Sequence, residues 1–200
     1  MRGRGGELLI VHNCGAAYSE DGEVVEFDAT PRMKLLVEIM EETDRKVIIF
    51  AMYRASIDII VAYLRKHGYN TETIHGGVSA TRRGEIINQF QNGDAKNALF
   101  TATGAPSAGI QVLVMQPQAT AHGITLTAAD TVVFFGPLMS VELYTQCIAR
   151  ADRQGQTSDK VTVIHIQSSP IEKKMFAAMD LRVEDHALLT SMFDEEMQVK

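Results

Sequence analysis

The sequence predicts an α/β domain in which a parallel sheet carries helices on both faces. Three observations lead to this fold class. Short apolar runs typical of strands buried on both sides recur along the chain, and amphipathic stretches with helical spacing separate them. The length of 200 residues, with 46% hydrophobic residues, suffices for one substantial domain or for one and a half small ones. Because strands alternate with helices, right-handed crossovers and parallel pairing are expected.

The first part of the chain predicts a basic arm, a short strand, a helix and a buried strand. The arm is "MRGRGG" and the short strand is "GEVVEF". Thr30 and Pro31 predict a helix start, because threonine caps helices and proline suits the first turn. The apolar face of this helix consists of Met33, Leu36, Ile39 and Met40. The run "KVIIFA" at 46–51 predicts a strand buried on both sides.

The middle of the chain predicts two helices with a strand between them. The first helix carries Ile57, Ile60, Val61 and Leu64 at helical spacing. It is expected to end at Gly68, and "NTETIH" at 70–75 is typical of a strand. The second helix is expected to begin with Ser79 as its cap and to run to about Gln91. Its inward face consists of Ile86, Ile87 and Phe90.

The last part of the chain predicts more strands and a closing helix. The buried-strand candidates are 111–117, 131–137 and 160–166. The segment "ALFT" leaves the strand count open by one, and 101–110 is interpreted as a surface loop and an insertion. A helical region begins at Ser169. The resulting division is an arm and lead-in at 1–23, one domain at 24–182 and an acidic helix at 183–200.

Composition and charge exclude several classes of protein. The formal net charge of −6 disfavours, without excluding, a nucleic-acid binder, because charge can be concentrated locally. Cys14 and Cys147 lie far apart without metal-ligand spacing, which favours a reduced protein without a structural zinc. Neither a membrane-spanning run nor a signal-peptide core is present. We therefore expect an intracellular, cytoplasmic protein that has no membrane partner.

A pattern of basic side chains follows the predicted strand at 131–137. A helix over 140–153 would place Val141, Tyr144, Ile148 and Ala151 on the side that packs on the sheet. Gln146, Arg150 and Arg153 would then form one stripe on the other side, because their spacing is i, i+4, i+7. Guanidinium groups suit phosphate recognition and keep their charge, so the stripe suits phosphoryl transfer. A solvated helix face remains the alternative interpretation.

Ligands of parallel sheets usually bind at the carboxyl ends of strands. Chemistry is therefore expected in the loops that follow residues 51, 75, 117 and 136, and on the helix that begins near Ser140. One of these loops, within "QPQATAHGITLTAAD", is rich in small residues, which let backbone amides approach an anion closely.

Four segments in order carry a resemblance to a known family. They are "KVIIFAMYRASIDIIVAYL", "TIHGGVSATRRGEIINQF", "QPQATAHGITLTAADTVVFF" and "ELYTQCIARADRQGQ". Across about residues 24–180 the chain resembles the second RecA-like domain of Swi/Snf-type superfamily-two helicases, with viral or bacterial members nearest. The resemblance implies a three-layer RecA-like fold and an ATP-driven motor on double-stranded or branched DNA. ATP with Mg²⁺ would bind in a cleft between this domain and a first RecA-like domain.

The resemblance also implies roles for residues of the second and third segments and of the arginine stripe. Arg150 and Arg153 correspond to arginine fingers, and Gln146 to a residue that positions nucleotide or the domain interface. Gly123 and Asp130 fall in a motif that couples nucleotide to DNA.

Further residues would contact DNA phosphates. Thr120 and Thr125 are candidates for phosphate contacts or for coupling, and His75, Gly76 and Arg82 resemble a segment that holds one strand. Simpler interpretations stay open, namely that His75 ends a strand and that Arg82 is a surface charge. Asp130 could likewise cap a turn.

Two motifs that such motors need are missing from the sequence. The chain has no phosphate-binding G-x-x-x-x-G-K-[ST] loop and no acidic box after a buried strand. We therefore expect a first domain, in the same chain or in another, to hold ATP and Mg²⁺, and we expect the chain alone to be inactive. An RNA helicase domain and a non-catalytic RecA-like module that regulates a partner ATPase are the alternatives. A viral origin would place the protein in the host cytoplasm.

Overall fold

The computed structural model describes residues 16–18, 24–26, 28–93 and 109–183. The basic arm at 1–6, the additional strand in "ALFT" and most of the 101–110 loop lie outside the described residues. So does the acidic segment beyond residue 183. Within the described ranges, the helices do not combine the length and the apolar character that crossing a membrane requires.

Strands and helices alternate as the sequence predicts. In chain order the elements are β1 Ala16–Tyr18, β2 Val24–Glu26, α1 Thr30–Glu42, β3 Lys46–Phe50, α2 Arg54–Lys66, β4 Thr71–Ile74, α3 Ala80–Asn92, β5 Val112–Met115, a 3₁₀ helix at Pro117–His122, β6 Ala129–Phe134, α4 Val141–Ile148, β7 Thr162–His165 and a last helix, α5, at 170–183. The described part of the predicted N-terminal lead-in contains β1, which pairs antiparallel with β2.

The main sheet has five strands in the order β4-β5-β3-β6-β7, and all its pairings are parallel. β3 is central, and Ile48 pairs with Leu113 on one side and with Val132 on the other. Every residue of β3 is buried, as the apolar run "KVIIFA" predicts. The fold class is confirmed.

Side chains that alternate along the central strands point into two separate cores. Phe50 and Phe134 lie in the core beneath α3, α4 and α5, and Val47 and Ile49 lie in the core beneath α1 and α2. Fully burying one such side chain stabilises the fold by about 1.5–3 kcal/mol. Helices therefore cover both faces of the sheet.

Helix ends match the sequence prediction at one helix and differ at another. Ser79 caps α3 and accepts a hydrogen bond from the amide of Arg82. Thr30 is the first residue of α1 rather than its cap. The amide of Thr30 donates to Asp28 Oδ1 at 2.9 Å, so an aspartate two residues earlier satisfies this helix end.

A buried ion pair joins the first helix to the last. The guanidinium of Arg32 contacts Glu172, the carbonyl of Phe135 and the hydroxyl of Ser168. Glu172 also accepts hydrogen bonds from the amides of Ser168 and Ser169 at 2.8 and 3.1 Å. Because Phe135 and Ser168 follow β6 and β7, this network fixes α1 and α5 at the carboxyl edge of the sheet. The sequence interpretation did not identify it.

The helix predicted over 140–153 is shorter than expected. α4 ends at Ile148, and Ala149 and Arg150 form a turn. A helix continuing past this point would need the carbonyl of Arg150 for its own hydrogen bonds, but that carbonyl accepts instead from the amide of Leu126. The predicted continuous helical stripe of Gln146, Arg150 and Arg153 is therefore wrong.

Candidate functional site

The two arginines of the predicted stripe lie at the amino edge of the sheet, not at the carboxyl edge where chemistry was expected. α4 begins beyond the carboxyl end of β6 and runs back along the sheet. The chain then meets Leu126, just before β6 begins, where the amide of Leu126 donates to the carbonyl of Arg150 at 2.8 Å. The arginine segment 149–155 is thereby fixed to the start of β6.

Among the residues that the structure describes, neither guanidinium in this segment is paired with a carboxylate. Arg150 is half-buried, and its buried Nε has no hydrogen-bond partner within the same residues. Arg153 is exposed, and within the described residues its side chain forms no hydrogen bond or ion pair. A buried donor without a partner costs about 1–3 kcal/mol, so an anionic ligand that reached Arg150 Nε would relieve this cost. The exposed side chain of Arg153 is available to an anion, whereas the buried Nε of Arg150 becomes available only if its side chain moves.

Gln156 holds the arginine segment in place. Its side-chain nitrogen donates to the carbonyls of Ala129 and Ala151 at 2.8 and 3.1 Å. Its side-chain oxygen accepts from the amides of Thr157 and Ser158. Gly155, one residue earlier, has a φ of +100°, a left-handed conformation that favours glycine. No structural role for Gly155 and Gln156 was predicted from the sequence.

Gln146 lies in the last turn of α4, one turn before Arg150. It is half-buried, and its side-chain nitrogen donates to Glu142 Oε1 at 3.1 Å. Gln146 is close to the arginines in sequence. It does not share a helical face with them, because α4 ends at Ile148.

Asp130 serves as a structural carboxylate at the start of β6. Its Oδ2 accepts a hydrogen bond from Ser158 Oγ at 3.0 Å and forms an ion pair with Arg45 Nε at 3.5 Å. Its Oδ1 accepts from Thr131 Oγ1 at 3.0 Å. Asp130 therefore joins β6 to the segment after the arginines. The alternative interpretation of Asp130 as a turn cap does not describe these contacts.

A recess opens at this edge beside the arginine segment. Its volume is about 440 Å³. It is lined by Asp44, Arg45, Lys46, Gln91, Asn92, Gly93, Thr127, Ala128, Gly155 and Thr157. The amino edge of the sheet thus combines free guanidiniums with a polar concave surface.

The loop before β6 combines a 3₁₀ helix with a left-handed glycine. Gly123 ends the 3₁₀ helix with a φ of +66°, where a larger residue would be strained. Thr120 is fully buried and its hydroxyl donates to the carbonyl of Pro117 at 2.7 Å, so it does not present a donor to a DNA phosphate. Burial therefore argues against the phosphate contact expected of Thr120, and the coupling role stays a prediction. Thr125 is half-buried.

The same loop packs on Cys147 of α4. Burial raises the pKa of the Cys147 thiol to about 12, although a hydrogen bond with Thr120 and the charge of Arg150 act in the opposite direction. The thiol is therefore neutral at physiological pH and is not a nucleophile. Cys147 and Thr120 serve to pack the loop against α4, close to Arg150.

The candidate DNA residues lie at the opposite, carboxyl edge, after β4. His75 is buried, and its Nδ1 accepts a hydrogen bond from the amide of Gly77 at 3.0 Å. Burial lowers the pKa of His75, and the nearby charge of Arg54 lowers it further. A neutral imidazole that stabilises its own turn does not attract a phosphate, so the simpler interpretation of His75 describes the structure.

The glycines after His75 differ in what they require. A Cβ at Gly76 would meet nothing within 4 Å, whereas a Cβ at Gly77 would lie 3.0 Å from His75 Cε1. A larger residue at Gly77 would therefore push against the side chain of His75, and Gly76 leaves this exposed turn open to a ligand.

Arg82 is exposed at the start of α3 and is paired with carboxylates. It forms ion pairs with Glu72 at 3.1 Å and with Glu85 at 3.2 Å. Exposed pairs of this kind are worth about 0–1 kcal/mol, so a phosphate can compete for the guanidinium. Arg83 beside it is half-buried, and in the described part of the chain its Nε has no hydrogen-bond partner.

Comparison with known proteins identifies the family. The family profile described as "Helicase conserved C-terminal domain" matches residues 31–155, which is more than half of the chain. The chain belongs to this helicase family. The matched range begins at the second residue of α1 and extends past α4, so it contains both candidate edges and the whole arginine segment. The resemblance to the second RecA-like domain of Swi/Snf-type helicases is confirmed.

Three relatives place this helicase domain within larger proteins. DNA repair protein rhp54 of Schizosaccharomyces pombe is 25% identical over 84% of this chain and 18% of its own length. Protein CHROMATIN REMODELING 24 of Arabidopsis thaliana is 29% identical over 85% of the chain and 15% of its own length. ATP-dependent RNA helicase DBP3 of Meyerozyma guilliermondii is 25% identical over 76% of the chain and 25% of its own length. The chain spans a quarter or less of each relative. The expectation of viral or bacterial relatives is not supported, because none of these organisms is a virus or a bacterium.

A solved structure shows the same fold. The C-terminal part of the Fun30 ATPase domain superimposes with a TM-score of 0.60 at 24% identity, covering 76% of this chain and 44% of that one. The RecA-like architecture expected for the helicase domain is therefore confirmed.

Proposed function

We propose that this chain is the second motor domain of an ATP-dependent DNA helicase or translocase. Arg150 and Arg153 would complete an ATP site that a first RecA-like domain holds. The observation that carries the proposal is the pair of uncommitted guanidiniums on a segment fixed to the start of β6. Charge that spreads over the γ-phosphate in phosphoryl transfer is the kind that such groups stabilise.

The residues at the amino edge fit an anionic nucleotide bound from outside. The unpartnered Nε of Arg150 and the exposed side chain of Arg153 are donors without acceptors in the described chain. ATP with Mg²⁺ supplies the scissile phosphate and the metal that neutralises its charge. Arg150 and Arg153 would bind the phosphate oxygens, Gln156 would keep both arginines oriented, and Gln146 would contribute to the domain interface.

The carboxyl edge after β4 supplies the proposed DNA surface. The exposed residues there include Gly76, Arg82 and the first turn of α3. Free backbone amides at the N-terminus of a helix favour phosphate contacts. The net charge of −6 requires such contacts to be local, so binding by this domain alone should be weak and salt-sensitive. Likeness to a DNA repair protein and to a chromatin remodelling protein supports DNA as the partner and an intracellular location.

A second candidate is the corresponding domain of an RNA helicase. The similarity to ATP-dependent RNA helicase DBP3 favours it. The two candidates differ in which nucleic acid accelerates ATP hydrolysis, since the phosphoryl-transfer chemistry is shared.

The experiment compares phosphate release by the chain alone with release by the chain together with its phosphate-binding first domain. The chain alone should show no turnover, because arginines without a nucleotide opposite them cannot hydrolyse ATP. The assembly should be stimulated by double-stranded DNA more than by RNA. Physiological turnover by the isolated chain would contradict the proposal, and stimulation by RNA alone would favour the second candidate.

A further inference from the structure

One polar side chain links the DNA-facing helix to the turn that holds the arginines. Gln91 lies at the C-terminal end of α3 and is half-buried. Its side-chain nitrogen donates to Thr127 Oγ1 at 3.2 Å, and its side-chain oxygen accepts from the amide of Ala128 at 3.0 Å. Because the Ala128 amide can only donate, the amide oxygen of Gln91 must face it. The orientation of this side chain is therefore fixed.

The turn that is hydrogen-bonded to Gln91 is also hydrogen-bonded to the arginine segment. Thr127 and Ala128 form a turn closed by a hydrogen bond from the amide of Ala129 to the carbonyl of Leu126. The amide of Leu126 binds the carbonyl of Arg150, and the carbonyl of Ala129 accepts from Gln156. The four residues 126–129 are thus bonded to α3 on one side, and to the backbone of Arg150 and the side chain of Gln156 on the other.

The opposite end of α3 lies at the proposed DNA surface. The helix has 13 residues, so it spans about 20 Å between the two edges of the sheet. Its C-terminus is secured by Lys46, whose ammonium contacts the carbonyl of Phe90 and donates to that of Gly93 at 2.6 Å. A helix is a rigid element through which coupling can pass, so a shift at Arg82 can reach Gln91.

We propose that Gln91 is a positioning residue that couples nucleic acid bound at the start of α3 to the placement of Arg150 and Arg153. The proposal rests on the proposed motor function. Gln91 touches neither nucleotide nor nucleic acid, and it acts through the 126–129 turn. Its loss should therefore affect how strongly DNA accelerates turnover more than how tightly DNA binds.

The test measures ATP hydrolysis with and without double-stranded DNA in the assembly with the first domain. Gln91→Leu removes both hydrogen bonds, so the DNA stimulation factor should fall about tenfold. Gln91→Glu should keep most of the stimulation. One carboxylate oxygen can accept from Ala128 and the other from the Thr127 hydroxyl. Gln89→Leu, an exposed position on the same helix, is the matched control.

The outcomes separate coupling from simple structural support. An equal fall of the stimulated and unstimulated rates in Gln91→Leu would show a structural role and overturn the inference. Full stimulation in Gln91→Leu would also overturn it while leaving the motor function intact. An assembly in which the unaltered chain shows no stimulation by nucleic acid would instead overturn the proposed function.

Amide hydrogen exchange of the chain itself gives a readout besides activity. Adding double-stranded DNA should slow exchange in peptides that cover 126–129 and 149–155 in the unaltered chain and in Gln91→Glu. The same protection should be absent from Gln91→Leu, although DNA still binds. Thr127→Val removes the hydrogen bond between Gln91 and the Thr127 hydroxyl while leaving Gln91 in place. It should also weaken the protection. If Gln91→Leu does not fold, protection that is unchanged in Thr127→Val contradicts the inference.

Discussion

The carbonyl oxygen of Arg150 accepts a hydrogen bond from the amide of Leu126 at 2.8 Å. A longer α4 would use this carbonyl in its own hydrogen bonds. The bond to Leu126 instead holds the residues after α4 against the start of β6. The two guanidiniums consequently lie at the amino edge of the sheet, opposite the proposed DNA surface. A domain of this design can contact nucleotide and nucleic acid on separate sides.

Loss of either guanidinium should abolish most turnover without unfolding the domain. In the assembly with the first domain, Arg150→Ala and Arg153→Ala should each lower kcat by about 10³ or more, the usual worth of an arginine finger. Arg153→Lys should restore little, because an ammonium cannot make the bidentate contact. Arg182→Ala, an exposed position on α5, is the control, and steady-state phosphate release is the measurement. Unchanged kcat in both alanine variants would remove the assigned role.

Removing the Gln156 side chain should loosen the arginine segment. Gln156→Ala deletes hydrogen bonds to Ala129, Ala151 and two amides, so the free energy of unfolding should fall by about 1–3 kcal/mol. Turnover should fall further than the small unfolded fraction explains, because the arginines lose their fixed orientation. Gln154→Ala, two residues earlier and exposed, should change neither property. Urea unfolding and ATPase assays read the two effects, and equal behaviour of both variants would contradict this role.

The sequence predicted the sheet well because its strands are defined by local signals. The run "KVIIFA" and the alternation of strands with helices require no knowledge of distant contacts, and β3 is buried as expected. Ser79 likewise carries its own capping signal. The end of α4 at Ile148 could not be predicted in this way. It depends on a bond between Arg150 and Leu126, which are distant in sequence.

The predicted site residues differ in how far the sequence could anticipate their surroundings. Arg153 is exposed, as a residue that meets a ligand must be. Thr120 and His75 have the right residue types, but burial and internal hydrogen bonds occupy them. The roles of Gln91 and Gln156 depend on backbone partners that only the fold brings close. Glutamine in a sequence carries no signal for such partners.

The buried pair of Arg32 and Glu172 should be strongly coupled in stability. Arg32→Met leaves Glu172 buried without its counter-charge, so the free energy of unfolding should fall by about 3–5 kcal/mol. The double change Arg32→Met with Glu172→Gln should recover much of this loss, because no unpaired charge stays buried and the neutral side-chain oxygen can still accept from the amides of Ser168 and Ser169. Arg82→Met, which breaks only exposed pairs, should cost less than about 1 kcal/mol. Urea unfolding of all variants checks the prediction, and additive losses in the double variant would contradict it.

A histidine under α5 should make the domain less stable in mild acid. Tyr144 donates to Asp180 at 3.1 Å, so Nε2 of His165 carries the proton that contacts the tyrosine oxygen at 2.8 Å. Burial lowers the pKa of His165 below its usual 6.5, although the charge of Asp180 opposes the shift. At a pH below 6.5 but above the lower folded pKa, His165 binds a proton in the unfolded chain and stays neutral in the folded chain. The free energy of unfolding therefore falls as the pH decreases. The contribution is fully present above pH 6.5 and is lost as the pH falls through the lower folded pKa. His165→Gln should therefore show a shallower fall than the unaltered chain in urea unfolding between about pH 7.5 and about pH 5.5. An NMR titration in which folded His165 protonates at or above its usual pKa would contradict the prediction.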